Sequence, residues 1–266
     1  MPYLDRILIY PIKSLDGIAV NQATVLKSGA LHGDRQFAIF DEQGRFVNGK
    51  RNPKVHLLRS SYDLKAQTVS LQVQDTEQTQ VFHLDEERTA LEAWLSNYFG
   101  KTVQLRQNLI QGFPDDTDAS GPTVISTATI ESVAGWFSEI STDEMRRRLR
   151  ANVEIADVLP FWEDQLFGEV GDIVQFQIGS IRFEGVNPCQ RCVVPTRDSI
   201  TAKAYPDFQK TFVAKRQETL PSGVSASRFN HFYRLSVNTR IPESEVGKTL
   251  QVGDEVKILG VLKTLS

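Results

Sequence analysis

The chain has 266 residues, 40% hydrophobic and 24% charged, with a formal net charge of −3. That length allows one or two domains with a sizeable core, and the charge balance argues against nucleic acid or an anionic membrane as a general partner. No apolar run approaches the ~20 residues that span a bilayer. Met1-Pro2-Tyr3-Leu4-Asp5-Arg6 does not read as a secretory signal. Two cysteines in one tight pair fit a reducing compartment, so a soluble cytoplasmic protein is expected.

In chain order, apolar segments at residues 4–10, 18–26, 36–40, 56–64, 69–73 and 80–84 predict short strands. Turn signals such as Asp16-Gly17, Ser28-Gly29 and Gly33-Asp34 separate them, a spacing that suggests a barrel or a strongly bent sheet. Leu91, Trp94, Leu95 and Tyr98 recur at helical spacing after the acidic turn Asp85-Glu86-Glu87 and predict a helix. Residues 108–121 read as a loop, which divides the chain into domains 1–108 and 109–266. A strand at 123–126 then feeds a helix with the stripe Ile130, Val133, Ala134 and Phe137. Ser141 and Glu144 have capping-box spacing and open a helix over 142–149. Strands follow at 153–156, 174–178 and 181–186, then a helix from Pro206 through Gln217 and strands at 232–238 and 255–259. The expected fold class is α+β, dominated by strands.

The only cysteines, Cys189 and Cys192, lie in the run Asn187-Pro188-Cys189-Gln190-Arg191-Cys192-Val193-Val194-Pro195, expected to be a loop. One reading leaves them as packed or idle thiols. A structural zinc site needs four ligands, and His32, His56, His83 and His231 are scattered singly, which argues against zinc. An iron–sulfur cluster wants four cysteines. A thioredoxin-like pair belongs at a helix start in a βαβ unit, whereas here extended chain follows. The remaining reading has one thiolate ligating a cofactor-borne metal. An anionic cofactor then needs cations from several loops, and Lys13-Ser14, Arg35, Lys50-Arg51 and the arginines from Arg146 to Arg150 are candidates.

At these residues the chain resembles a known family. Ile9-Tyr10-Pro11-Ile12-Lys13-Ser14 followed by Gly33-Asp34-Arg35 is similar to the β-barrel domain that precedes MOSC (molybdenum cofactor sulfurase C-terminal) domains. Leu149-Arg150-Ala151-Asn152-Val153, then Trp162 and Asp164, then Cys189-Gln190-Arg191-Cys192 resembles the MOSC domain itself. The branch it most resembles contains the mitochondrial amidoxime-reducing component and bacterial reductases of N-hydroxylated compounds. The resemblance implies an N-terminal β-barrel-like domain, a MOSC β-barrel domain with peripheral helices, and a cleft between them for a single-pyranopterin molybdenum cofactor. It implies Cys192 as the metal ligand and catalytic residue. Lys13, Ser14, Arg35, Lys50, Asp118, Ser120, Arg150, Asn152 and Arg191 are implied as cofactor-binding residues. The implied activity is a reductase that removes oxygen from N-hydroxylated or N-oxide substrates. Its electrons would come from a separate ferredoxin-, flavodoxin- or cytochrome-type protein. The alternative within the family is a sulfur-carrier or cofactor-handling protein, with a persulfide on Cys192 supplied by a pyridoxal-phosphate desulfurase.

Overall fold

The computed structural model describes residues 1–263; residues 264–266, the end of the expected second domain, lie outside the described residues. The first part contains β1 (Tyr3–Ile9), β2 (Ile18–Val20), β3 (Gln22–Thr24), β4 (Phe37–Asp41), β5 (Leu58–Asp63), β6 (Thr68–Val73), β7 (Thr79–His83), α1 (Arg88–Phe99) and β8 (Val103–Gln107). Then come β9 (Val124–Ser126), α2 (Thr127–Ala134), α3 (Thr142–Leu149), β10 (Val153–Ala156), β11 (Ile173–Ile178) and β12 (Ile181–Gln190). The last elements are α4 (Phe208–Glu218), β13 (Arg234–Arg240), β14 (Thr249–Gln251) and β15 (Val256–Leu262). The fold is α+β and strand-dominated, as the sequence predicts. Among the described residues no helix is long and apolar enough to cross a membrane.

One eight-stranded sheet runs β15-β11-β12-β13-β9-β10-β1-β2. It bends until Tyr3 of β1 makes an isolated antiparallel bridge to Glu255, next to β15, giving a barrel-like curl without full closure. Only the β9–β10 pair in it is parallel. The helical crossover α2–α3 between those strands makes that direction possible. Strands from both sides of residue 108 share the sheet: β1 pairs with β10, and β3 forms a separate ladder with β14. Leu4, Ile7 and Ile9 of β1 therefore pack with Val153, Phe176 and Val237 in one core. A second core, under the β5-β6-β7 sheet and the β4–β8 pair, takes the stripe Leu91, Leu95 and Phe99 of α1.

Several local outcomes differ from the expectations, among them the unexpected short strand β14. Residues 18–26 do not form one strand, because the chain bends at Asn21 and sends β2 and β3 to different partners. The alternating run Val103-Gln104-Leu105 forms β8, a strand not expected, with Val103 and Leu105 inward. Most consequential, β12 continues through Cys189 to Gln190, so the first cysteine stands on a strand and not in a loop. Register irregularities at Gly185/Asn187 and Pro188/Gln190 make room for Pro188, which cannot donate to the ladder. Gly185 is obligatory there, since a Cβ would come within 1.6 Å of the Leu166 carbonyl oxygen.

Serine caps open both central helices. Ser126 Oγ accepts from Thr129 N at 3.1 Å, and Ser141 Oγ accepts from Glu144 N at 3.2 Å. The reciprocal half of the capping box is absent at α3. Glu144 is turned to Arg148 (2.6 Å) and to the backbone N–H of Ser199 (2.8 Å), which ties the helix to the segment after the cysteines.

Candidate functional site

The chain leaves β1 through Tyr10 and Pro11 into a tight turn that presents Lys13 and Ser14. The Lys13 ammonium is buried, donates to the carbonyls of Phe113 (2.8 Å) and Pro114 (3.1 Å), and pairs with Asp115 at 2.7 Å. Burial lowers its pKa, and Asp115 opposes that shift. Arg35 lies beside it, paired with Asp34 at 2.5 Å and 4.0 Å from Asp115. For Asp115, burial acts to raise the carboxyl, but Arg35, Lys13 and Lys50 outweigh it and hold it well below the usual range.

From the other half, Arg150 stacks on the Tyr10 ring at 4.1 Å. Burial drives the Tyr10 hydroxyl up to about 12 against the fields of Arg150 and Arg35, so it stays a neutral donor to the Ala151 carbonyl (3.1 Å). Asn152 is buried and engaged at both ends of its amide. Its Nδ2 donates to the Leu8 carbonyl, and its Oδ1 accepts from Thr123 and from Arg35 at 3.3 Å. It positions Arg35 through Oδ1, and one of its two Nδ2 hydrogens is taken by Leu8. Arg191 donates to Leu149 O, to Ser236 Oγ (3.4 Å) and to Cys189 Sγ (3.5 Å), which links the cysteine segment to the end of α3.

These groups converge on one cavity of about 970 Å³. Lys13, Ser14, Arg35, Lys50, Arg150, Asn152, Arg191 and Cys192 all line it, and so does Cys189. Asp118 and Ser120 do not, which corrects the expectation for that loop. Asp118 N–H turns back on Asp116, its carbonyl accepts from Arg240, and Ser120 Oγ donates to the Ser28 carbonyl. The loop reaches the cavity through Asp115 and Asp116 instead. Arg51 is also outside the lining, and of the four histidines only His56 lies on it.

Twelve Lys and Arg residues against three Asp line this cavity, in a chain whose net charge is −3. The excess selects for an anionic ligand. Not every cation is available to one. Arg146 is held by Glu154 (2.7 Å), Arg147 by Glu144 (3.2 Å) and Arg148 by Glu144 and Asp198, whereas Arg150 has no ion pair among the described residues. The buried Nε atoms of Arg59, Arg191 and Arg197 have no hydrogen-bond partner. A phosphate-bearing organic ligand fits this donor set. No group of three or more His, Cys, Asp or Glu among the described residues is arranged to hold a metal ion, so a metal here would bring ligands of its own beside Cys192.

Sequence reasoning missed Tyr10, Asp115, Arg59 and Arg197, which only tertiary structure brings together. It also missed Tyr233, a buried hydroxyl without a partner, raised by burial and further by Cys192 while Arg191 opposes. One signal is invisible in sequence: Ser14, Arg35 and Arg150 all hold left-handed backbone, at φ of 77°, 48° and 54°. Strained conformations at non-glycine residues persist where the surroundings fix them, and three share this cavity.

Residues 1–104 match the model of the MOSC N-terminal beta barrel domain, and residues 122–257 match that of the MOSC domain. Among curated proteins, the molybdenum cofactor sulfurase of Danio rerio is 24% identical over 245 residues, covering 75% of this chain and 28% of that protein. That of Drosophila mojavensis is 26% identical over 259 residues (85% and 32%), and that of Homo sapiens 22% over 247 residues (75% and 27%). The chain thus spans about a third or less of the length of these relatives. With both family models matched in order, and the cavity built from residues of each, the chain belongs to the MOSC-domain family.

Proposed function

We propose that this protein binds molybdenum cofactor as its substrate in the cationic cavity and acts on it through Cys192, as a sulfur-carrying, cofactor-handling MOSC protein. The observation that carries this reading is that Cys192 lines the same cavity as Lys13, Ser14, Arg35, Arg150 and Arg191. Relatives at 22–26% identity are molybdenum cofactor sulfurases, which supports the same direction.

The cationic side chains and the Ser14 hydroxyl hold the anionic ligand, Lys50 adds field, and Asn152 keeps Arg35 in place. Cys192 is the nucleophile. Its thiolate attacks the outer sulfur of a donor persulfide, forming one S–S bond as the donor's S–S bond breaks. The donor leaves as a thiolate, and Cys192 then carries the terminal sulfur. Passing that sulfur on as sulfide takes two electrons, which a thiol reductant supplies. A pyridoxal-phosphate desulfurase is the donor class that the family alternative names.

Cyanide-labile sulfur, measured after incubation with a persulfide donor, tests this. About one equivalent is expected on wild type and on Cys189→Ala, and none on Cys192→Ala. Equal labile sulfur on wild type and Cys192→Ala would remove the assignment.

A second reading is favoured by the size of the cavity, at the upper end of the range for small-molecule sites. There is room for a resident cofactor held by the same residues and a small N-hydroxylated substrate. The cofactor, when bound, would supply a two-electron molybdenum centre that accepts oxygen from an N–OH or N-oxide group, with Cys192 as its protein ligand. Electrons would come from an external ferredoxin-, flavodoxin- or cytochrome-type protein. Stoichiometric molybdenum in protein from a cofactor-competent host, with turnover of an N-hydroxylated probe, selects this reading. Labile sulfur without metal selects the first.

A further inference from the structure

The two cations nearest the β1 turn are already largely neutralised, Lys13 by Asp115 and Arg35 by Asp34. The unbalanced positive charge lies farther along the wall, around His56. Three guanidiniums from three separate segments line the cavity together with that imidazole: Arg59 from β5, Arg150 from the end of α3, and Arg197 from five residues beyond Cys192. The His56 ring itself adds no charge. Burial, reinforced by Arg197, Arg150 and Arg59, holds its pKa below the usual range, and the ring lies 3.3 Å from the Gly49 carbonyl. Gly49 is required for this fit, since a Cβ would stand 2.7 Å from His56 Nε2.

None of the three arginines is fully satisfied. Arg59 donates to the His56 carbonyl (2.5 Å) and is 3.5 Å from Asp16, while its buried Nε has no partner. Among the described residues the Arg197 side chain donates only to the Ala202 carbonyl (3.3 Å), and its buried Nε is unpartnered. The adjacent Asp198 carboxylate is engaged by Arg148 and Thr201 and does not neutralise it. The Arg150 guanidinium lies over the Tyr10 ring and has no ion pair among the described residues. Asp16 is thus the one carboxylate paired with this cluster among the described residues, and its second oxygen accepts from Ser60 N at 3.0 Å. Desolvated guanidinium donors left without acceptors are costly, and an oxyanion bridging these planar donors relieves that cost.

We propose that Arg59, Arg150 and Arg197, on the cavity wall with His56, form an oxyanion subsite made of different residues from the Lys13–Arg35–Asp115 cluster, and that this subsite takes a phosphate group. Two sources share that chemistry. One is a second phosphate on the cavity's ligand, as in a nucleotide-extended pterin. The other is a free small oxyanion entering beside the ligand. The subsite goes beyond the proposed function, because phosphate binding at these arginines does not depend on what Cys192 carries.

Calorimetric titration of the full chain with inorganic phosphate and with guanosine monophosphate tests it, with no sulfur donor present. A failure of sulfur loading at Cys192 is therefore read separately. Wild type is expected to bind phosphate with an affinity that falls as sodium chloride rises. Arg197→Gln and Arg59→Gln should each weaken binding at least tenfold. Arg197→Lys, which keeps the charge, should restore most of it, and Arg106→Gln, a cation outside the cavity, should stay within twofold of wild type. Thermal melts within a few degrees of wild type identify the folded variants, and Arg197→Gln carries the test if Arg59→Gln does not fold. Guanosine monophosphate binding at least tenfold tighter than phosphate, and lost in Arg197→Gln, identifies the nucleotide source; equal affinities identify the free oxyanion. The proposal is overturned if wild type binds neither probe. It is equally overturned if both glutamine variants bind phosphate as wild type does, whether or not Lys13→Gln abolishes binding.

Discussion

Arg150 caps α3 in the left-handed region, at φ 54° and ψ 41°, a conformation that disfavours any side chain with a Cβ by roughly 1 kcal/mol. The strain persists because the turn aims the guanidinium over Tyr10 and into the cavity. Arg150→Gly should therefore be more stable than Arg150→Ala by about 1 kcal/mol in urea unfolding, while both weaken anion binding. Equal stability of the two would show that the turn is not strained. Asp115 works in the opposite sense, as an internal anion lying on Lys13 and near Arg35. Its carboxyl is held low by those cations against burial. The stability it contributes is therefore present above the unfolded carboxylate range and lost progressively as pH falls from there through its depressed folded value. Asp115→Asn should raise the affinity for sulfate, whose charge does not change in this range, severalfold, by a factor constant between about pH 5 and pH 8 because Asp115 stays ionised there. A gain that appears only at one end of that window would contradict this.

At the scale of elements, the 3-10 turn Trp162–Leu166 carries two buried acids in different circumstances. Asp164 accepts two hydrogen bonds from the fully buried Arg216 of α4, at 2.7 and 2.6 Å. Glu163 has only neutral partners, Thr129 Oγ1 (2.9 Å) and Ser126 N (3.2 Å), and its Oε1 has none. Burial, with repulsion from Asp164, pushes Glu163 up from 4.5 to about 7. A raised carboxyl makes the fold lose stability as pH rises from the unfolded value towards the folded one, after which the loss is constant. That loss is roughly 3 kcal/mol at most, between pH 4.5 and about 7. Glu163→Gln should remove this contribution, so that its stability relative to wild type rises from pH 5 to pH 8 in denaturant titrations; parallel curves would refute it. At α3, Ser141→Ala should cost about 1 kcal/mol through the lost cap. Part of that change should reach the cavity as weaker anion binding, because α3 ends on Arg150.

At the scale of the molecule, β1 joins what the sequence separates. Ile7 is fully buried, pairs with Val153 and Val20, and lies in the core shared with β11, β12 and β13. Ile7→Ala should destabilise by about 3 kcal/mol and lower one cooperative transition seen alike by tryptophan fluorescence and circular dichroism. Two separated transitions would mean that the halves unfold independently.

Much of the fold was legible in the residues because it rests on local pattern. Alternation located most strands, the Leu91–Leu95 stripe located α1, and Ser141 placed the start of α3 to the residue. The same patterns are silent on partners. Nothing in residues 18–26 says that two short strands go to different sheets, and nothing in the Pro-bracketed cysteine run says that β12 continues through it. The site divides similarly. Sequence alone determined that this chain concentrates its thiol chemistry at Cys189 and Cys192 and offers clusters of cations at its turns. The tertiary structure decided which of these meet. Arg146, Arg147 and Arg148 are spent on carboxylates while Arg150 is free, and Asp115 reaches the cavity where Asp118 does not. The reason is physical: a side chain's chemistry is fixed by its covalent structure, but its partners, burial and field depend on segments a hundred residues away.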